Sequence, residues 1–72
     1  MDRTSFNTIF RLNDDGSIEP LRPVRIGGVQ MGPGVKLGRG VLLGGINLHD
    51  FIGRDFQTNQ DSGTLVINAI YG

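Results

Sequence analysis

Residues 28–45 read Gly28-Val29-Gln30-Met31-Gly32-Pro33, Gly34-Val35-Lys36-Leu37-Gly38-Arg39 and Gly40-Val41-Leu42-Leu43-Gly44-Gly45. One unit, Gly-Val-x-(Met/Leu)-Gly-x, is written three times. Eight of the chain's 12 glycines fall between Gly27 and Gly45. A helix is excluded here: each glycine costs about 0.8–1 kcal/mol relative to Ala in a helix interior, and Pro33 about 3. Val-x-(Met/Leu) has strand spacing, with both apolar residues on one face. The Gly-x-Gly that follows is turn chemistry. Each unit therefore predicts a very short strand and a turn.

The flanks read as β as well. Phe6, Thr8, Phe10 and Leu12 alternate with Asn7, Ile9 and Arg11, which predicts a strand over 6–12. Asn13-Asp14-Asp15-Gly16 is a turn signal. The return, 17–26, carries Pro20 and Pro23, so it predicts an edge strand or an extended arm anchored by Leu21, Val24 and Ile26. Beyond the repeat, Asn47 can cap one or two helical turns over 47–52, with Gly53 ending them. Residues 54–59 read as extended, and Asp61-Ser62-Gly63 as a second turn. Thr64–Tyr71 predicts the best strand, with Leu65, Ile67, Ala69 and Tyr71 on one face. Val66 and Ile70 make its other face partly apolar, which suits a central strand or a subunit contact.

Met31-Gly32-Pro33-Gly34-Val35-Lys36 and Leu37-Gly38-Arg39-Gly40-Val41-Leu42 resemble the hexapeptide-repeat motif of left-handed parallel β-helices, and Leu43-Gly44-Gly45-Ile46 begins a third unit before Asn47 departs from it. The resemblance covers about 18 residues and implies one triangular coil with its aliphatic and small residues inward. Solenoid units need roughly three or more stacked neighbours. Three arrangements follow: a coil capped by the chain's own hairpins, a coil stacked on other subunits, or three strands of a small barrel unrelated to that family. Many hexapeptide-repeat enzymes are acyltransferases with a histidine at a subunit groove. His49 lies outside the motif, so that activity is not carried over.

Seventy-two residues form one small β domain spanning 1–72. A core of this size rarely supplies more than about 3–5 kcal/mol unless something staples it. The chain has no cysteine and one histidine, so neither a disulfide nor a metal site within one chain is expected. Self-association is the remaining staple, and a homo-oligomer is the expectation. No apolar run reaches the length of a membrane helix. Met1-Asp2-Arg3-Thr4-Ser5 lacks the apolar stretch of a secretory signal, so the expected address is cytoplasmic.

Formal net charge is zero, which gives no global attraction to nucleic acid or to an anionic membrane. Placement is uneven: Arg22, Arg25, Lys36 and Arg39 lie in an acid-free stretch, 20–45, between acidic ends. The ends can neutralise the middle; alternatively the middle can bind an anion. Glycine-rich turns can aim backbone N–H groups at an anion, with basic side chains beside them. The candidate set is Lys36, Arg39, Gly38 and Gly40, joined by Arg25 and Arg54 if the fold brings them close.

Catalysis and cofactors find less support. Gly32-x-Gly34-x-x-x-Gly38 resembles a dinucleotide loop, but no long helix follows. No Gly-Lys-Ser/Thr is present. Ser5, Ser17 and Ser62 lack an activating motif, and His49 reads as a surface or capping residue. Aromatic and basic residues occupy different segments, which disfavours base stacking. A transcription regulator is disfavoured by the neutral charge and the lack of a basic arm. The expectation is a non-enzymatic structural or assembly module, with no cofactor and no metal. The alternative is a binder of an anionic small molecule such as a nucleotide or phosphate at subunit boundaries.

Overall fold

A computed structural model describes residues 2–71. The chain runs β1 (Asp2–Ser5), α1 (Phe6–Ile9), β2 (Phe10–Leu12), β3 (Ile18–Pro20), β4 (Val24–Ile26), β5 (Val29–Met31), β6 (Leu42–Leu43), β7 (Ile46–Asn47), a 3-10 turn (Leu48–Phe51), β8 (Asp55–Asp61) and β9 (Thr64–Ile70). Strands dominate, as the turn-rich sequence implies. Five form one sheet in the order β1-β8-β9-β4-β5, and β2-β3 and β6-β7 are separate hairpins. All pairs are antiparallel except β4 with β9. The sheet does not close, so the barrel expected from the repeat is not formed among the described residues. Its outermost strands, β1 and β5, do not pair with each other.

One face of the sheet carries the core. Val24, Ile26, Met31, Phe56, Leu65 and Ile67 are buried, and the segments outside the sheet add Phe6, Ile9, Phe10, Ile18 and Leu48. Phe6, Phe10 and Phe56 form an aromatic triangle with ring centroids 5.2–6.3 Å apart and tilted or edge-on faces. Such pairs add about 0.5–1.5 kcal/mol beyond burial.

Three expectations require correction. Residues 6–9 form a helical turn, not a strand. Phe6, Ile9 and Phe10 are the buried residues, and their i, i+3, i+4 spacing suits a helix. The Phe10 N–H donates to the Phe6 carbonyl. Secondly, Leu21 is exposed while Ile18 and Pro20 are buried. The segment after Pro23 is also an interior strand: β4 sits between β9 and β5. Thirdly, β9 changes face along its length. Thr58 pairs with Ile67 but Gln57 pairs with Ala69, so Asn68 is an extra residue. A one-residue bulge turns the following side chains over. Leu65 and Ile67 are therefore buried, while Ala69 and Tyr71 face solvent.

Three further readings agree with the structure, whereas the middle hexad, 34–39, forms no strand beyond the single Leu37·Ile18 bridge. Asn47 caps the 3-10 turn by accepting from the His49 N–H at 3.2 Å. Ser62 and Gly63, both at positive φ, make the β8-β9 hairpin turn. β9 is the central strand of the sheet.

Within the repeat, glycines supply the reversals. Gly27-Gly28 and Gly44-Gly45 are two-residue hairpin turns with positive φ at both positions, the geometry that matches strand twist. Val35 N–H donates to Gly32 O and Val41 N–H to Gly38 O. Gly34 and Gly40 hold positive φ in the third position of these turns, where only glycine sits without strain. The two hairpin tips meet: a Cβ on Gly44 would lie 2.8 Å from the Cα and the carbonyl oxygen of Gly27.

Candidate functional site

The hexad repeat divides its apolar residues by position. Met31, Leu37 and Leu43 are 7, 8 and 6% exposed, whereas Val29, Val35 and Val41 are 37, 43 and 42% exposed. Met31, Leu37 and Leu43 are buried, as the β-helix resemblance implies, whereas the valines stay exposed and depart from it. Each buried side chain contributes about 1.5–3 kcal/mol, so the repeat is fastened to the core at three points. The middle one is reinforced by reciprocal backbone bonds between Leu37 and Ile18, at 2.8 and 2.9 Å.

Lys36 and Arg39 flank Leu37, so the Leu37·Ile18 bridge carries both to the turn before β3. That turn, 13–17, is closed by Gly16 N–H donating to Asn13 O at 3.0 Å and Asn13 N–H donating to Ser17 O at 2.8 Å. Asp15 Oδ1 accepts from the Ser17 hydroxyl at 2.6 Å and from the Ser17 N–H at 2.9 Å. These two bonds, with the charge of Lys36, hold the Asp15 carboxyl below the usual range. The Arg39 guanidinium lies against Gly16, its Nε 3.4 Å from where a Cβ would stand. Both cations of the candidate anion site therefore border an acidic turn of the same chain.

The other candidates are dispersed. Arg25 on β4 is ion-paired to Asp61 on β8 at 2.7 Å. Arg54 lies between the 3-10 turn and β8, where its carbonyl accepts from the Phe6 N–H at 3.0 Å and its side chain is exposed. Gly38 and Gly40 are exposed and open, with no atom within 4 Å of an added Cβ. Lys36, Arg39, Gly38 and Gly40 are thus local to one loop, and Arg25 is engaged with Asp61.

Two residues outside the candidate set occupy this region. Glu19 Oε2 accepts from the Gly34 N–H at 3.0 Å: a glycine amide of the repeat is satisfied by the chain's own carboxylate. Asp15 likewise faces Lys36. The signal was present in the placement of Asp14, Asp15 and Glu19 just before an acid-free segment. Their individual partners depend on the Leu37·Ile18 bridge, which no local pattern announces.

Asp15, Ser17 and His49 also converge on this turn. Ser17 Oγ donates to Asp15 and receives a bond from Asn13 Nδ2 at 3.0 Å. His49 Nε2 is 2.7 Å from the Gly16 carbonyl, so this nitrogen is the donor and is not a base for Ser17. The hydrogen bonds tie the 3-10 turn to the β2-β3 hairpin. Among the described residues, every buried side-chain nitrogen and oxygen has a partner. Among them no surface pocket opens, no group of His, Asp and Glu gathers as a metal site, and no helix is long and apolar enough to cross a membrane. Comparison with protein-family models, curated proteins and solved structures gives no match for this chain.

Proposed function

We propose that the chain is a non-enzymatic structural module of the cytoplasm that works as a homo-oligomer. The observation that carries this reading is the outward set of Val29, Val35 and Val41, each about two-fifths exposed at the same hexad position. Leu42 beside them is 63% exposed. Scattered exposed apolar residues are ordinary, but a periodic set on one short segment marks contact surface. Light scattering over a concentration series tests it. The expected outcome is a mass at a multiple of 7.8 kDa, reduced when Val29, Val35 and Val41 are all changed to Ser. A 7.8 kDa monomer at every concentration overturns it.

A second reading keeps the anionic ligand at Lys36 and Arg39, with the exposed Gly38 and Gly40 between and beside them. It is favoured by the exposure of all four residues on one loop. A ligand at 100 times its dissociation constant stabilises a fold by about 2.7 kcal/mol. A thermal shift with millimolar sulfate, phosphate or nucleotide, lost in Lys36→Ala/Arg39→Ala, is the expected result. No shift with any of the three rejects it.

A further inference from the structure

We propose that two copies of the chain join edge to edge through β5, antiparallel and centred on Gln30, so that their sheets become one. The proposal rests on the homo-oligomer reading and names the surface that performs it.

The hydrogen-bonding directions around β5 follow from its neighbours. A two-residue turn joins β4 to β5, so Ile26 and Val29 exchange the bonds that close it. Antiparallel pairs alternate, so Val24 and Met31 are also bonded and Arg25 and Gln30 are not. The other side of β4 gives the same answer independently. Leu65 N–H donates to Pro23 O at 2.9 Å, so odd-numbered residues of β4 face β9 and even-numbered ones face β5. The N–H and C=O of Gln30 therefore point away from the sheet, along its free edge. β5 is an outermost strand and Gln30 is exposed, and Gly28 and Gly32 on either side have no atom within 4 Å of an added Cβ.

The two edges of the sheet are unequal. β1 presents an exposed Asp2, and its Arg3 is held by Asp55 at 2.7 Å; charged side chains on an edge strand oppose pairing. β5 is Val29-Gln30-Met31, with no charge and no proline. Arg25, the cation beside Gln30 on β4, is already ion-paired to Asp61.

A second copy fits this edge because the strand reads the same way in both directions: apolar, polar, apolar. A twofold axis through Gln30 sets Gln30 against Gln30 of the partner subunit, with reciprocal N–H···O bonds. It sets Val29 beside Met31 of the partner subunit. Val29 and Met31 share a face because they are two apart, and Met31 is buried in the core while Val29 is exposed. The twofold thus covers Val29 with apolar surface and continues the core across the junction. The contact is isologous and closes as a dimer.

Gln30→Pro tests the geometry. Proline removes the outward N–H and blocks the edge, yet no bond of the β4-β5 ladder uses that N–H. Gln30→Lys is the second variant: it sets two like charges face to face without touching the backbone. Sedimentation equilibrium of the full chain is the measurement, with circular dichroism reporting the fold. The expected result is a wild-type dimer, dissociating about tenfold or more readily in Gln30→Pro with its β spectrum retained. Gln30→Lys should dissociate at low salt and recover in 1 M salt, where the screening length falls to about 3 Å. Wild-type-like dimers in a folded Gln30→Pro chain, or in Gln30→Lys at low salt should the Pro variant not fold, overturn the edge while leaving the homo-oligomer reading intact. A wild-type monomer throughout removes both and leaves the edge to a strand of another protein.

Discussion

The β8-β9 hairpin and the hexad repeat are held in different ways. In the hairpin, two seven-residue strands pair from Phe56–Ile70 to Asp61–Thr64 around Ser62-Gly63, interrupted only by the bulge at Asn68, and stability comes from this ladder beneath Phe56, Leu65 and Ile67. In the repeat, the longest strand is the three residues of β5. Order there comes from glycine turns and from Met31, Leu37 and Leu43 set into the core one at a time. A ladder distributes its strength over many bonds. A string of turns concentrates it at a few positions, so the repeat should show large effects at its anchors and tips and small ones elsewhere.

The largest effect belongs to the ladder's own core. Phe56→Ala removes one corner of the aromatic triangle and a fully buried side chain, and is expected to cost about 3–5 kcal/mol, read as a drop in the urea midpoint. Gly44→Ala comes next and decides whether the repeat has a point that matters as much. Its Cβ would lie 2.8 Å from the Gly27 backbone, and Gly44 holds φ of +54°. Backbone strain of about 1–2 kcal/mol and overpacking of about 1–3 kcal/mol act together, so about 2–4 kcal/mol is expected. A Gly44→Ala loss no larger than that of Gly28→Ala would mean that the hairpin tips are not in contact. Gly28→Ala isolates the conformational part: φ is +82° but nothing lies within 4 Å, so about 1–2 kcal/mol is the expected loss.

This contrast also explains what could be read from the chain alone. Turns with a dominant local cause were legible: the Gly-x-Gly turns at 32–34 and 38–40, Asn13–Gly16, Asp61–Gly63, and the Asn47 cap. The long alternation of Thr64–Tyr71 identified the central strand. What was not legible depends on partners far away. The helical turn at 6–9 follows from closing the aromatic triangle with Phe56, 50 positions from Phe6. The exposure of Ala69 and Tyr71 follows from a bulge against Gln57. The exposure of Val35 and Val41 follows from the glycine turns before them: outside β5, the Val-x-Leu spacing does not fall on a regular strand. In the candidate site, Lys36 and Arg39 were legible as a local pair. Their acidic neighbours Asp15 and Glu19 were not, because the Leu37·Ile18 bridge brings them together.

The smallest expected effect is a pH dependence confined to the junction between the repeat and the 13–17 turn. Asp15 is held below its ordinary range by bonds from Ser17, first the hydroxyl and then the N–H, with the Lys36 charge adding to them. A carboxyl whose folded pKa is depressed binds its proton more readily in the unfolded chain. Its stabilisation is therefore fully present above the unfolded value of about 3.9 and is lost as pH falls through the folded value. Because Asp15 is exposed at the surface, the effect is small and screened by salt. Asp15→Asn should lower the neutral-pH melting temperature slightly and flatten its decline below about pH 4. If Asp15→Asn leaves the acid limb unchanged, the acid sensitivity does not come from the fastening of the repeat to the 13–17 turn.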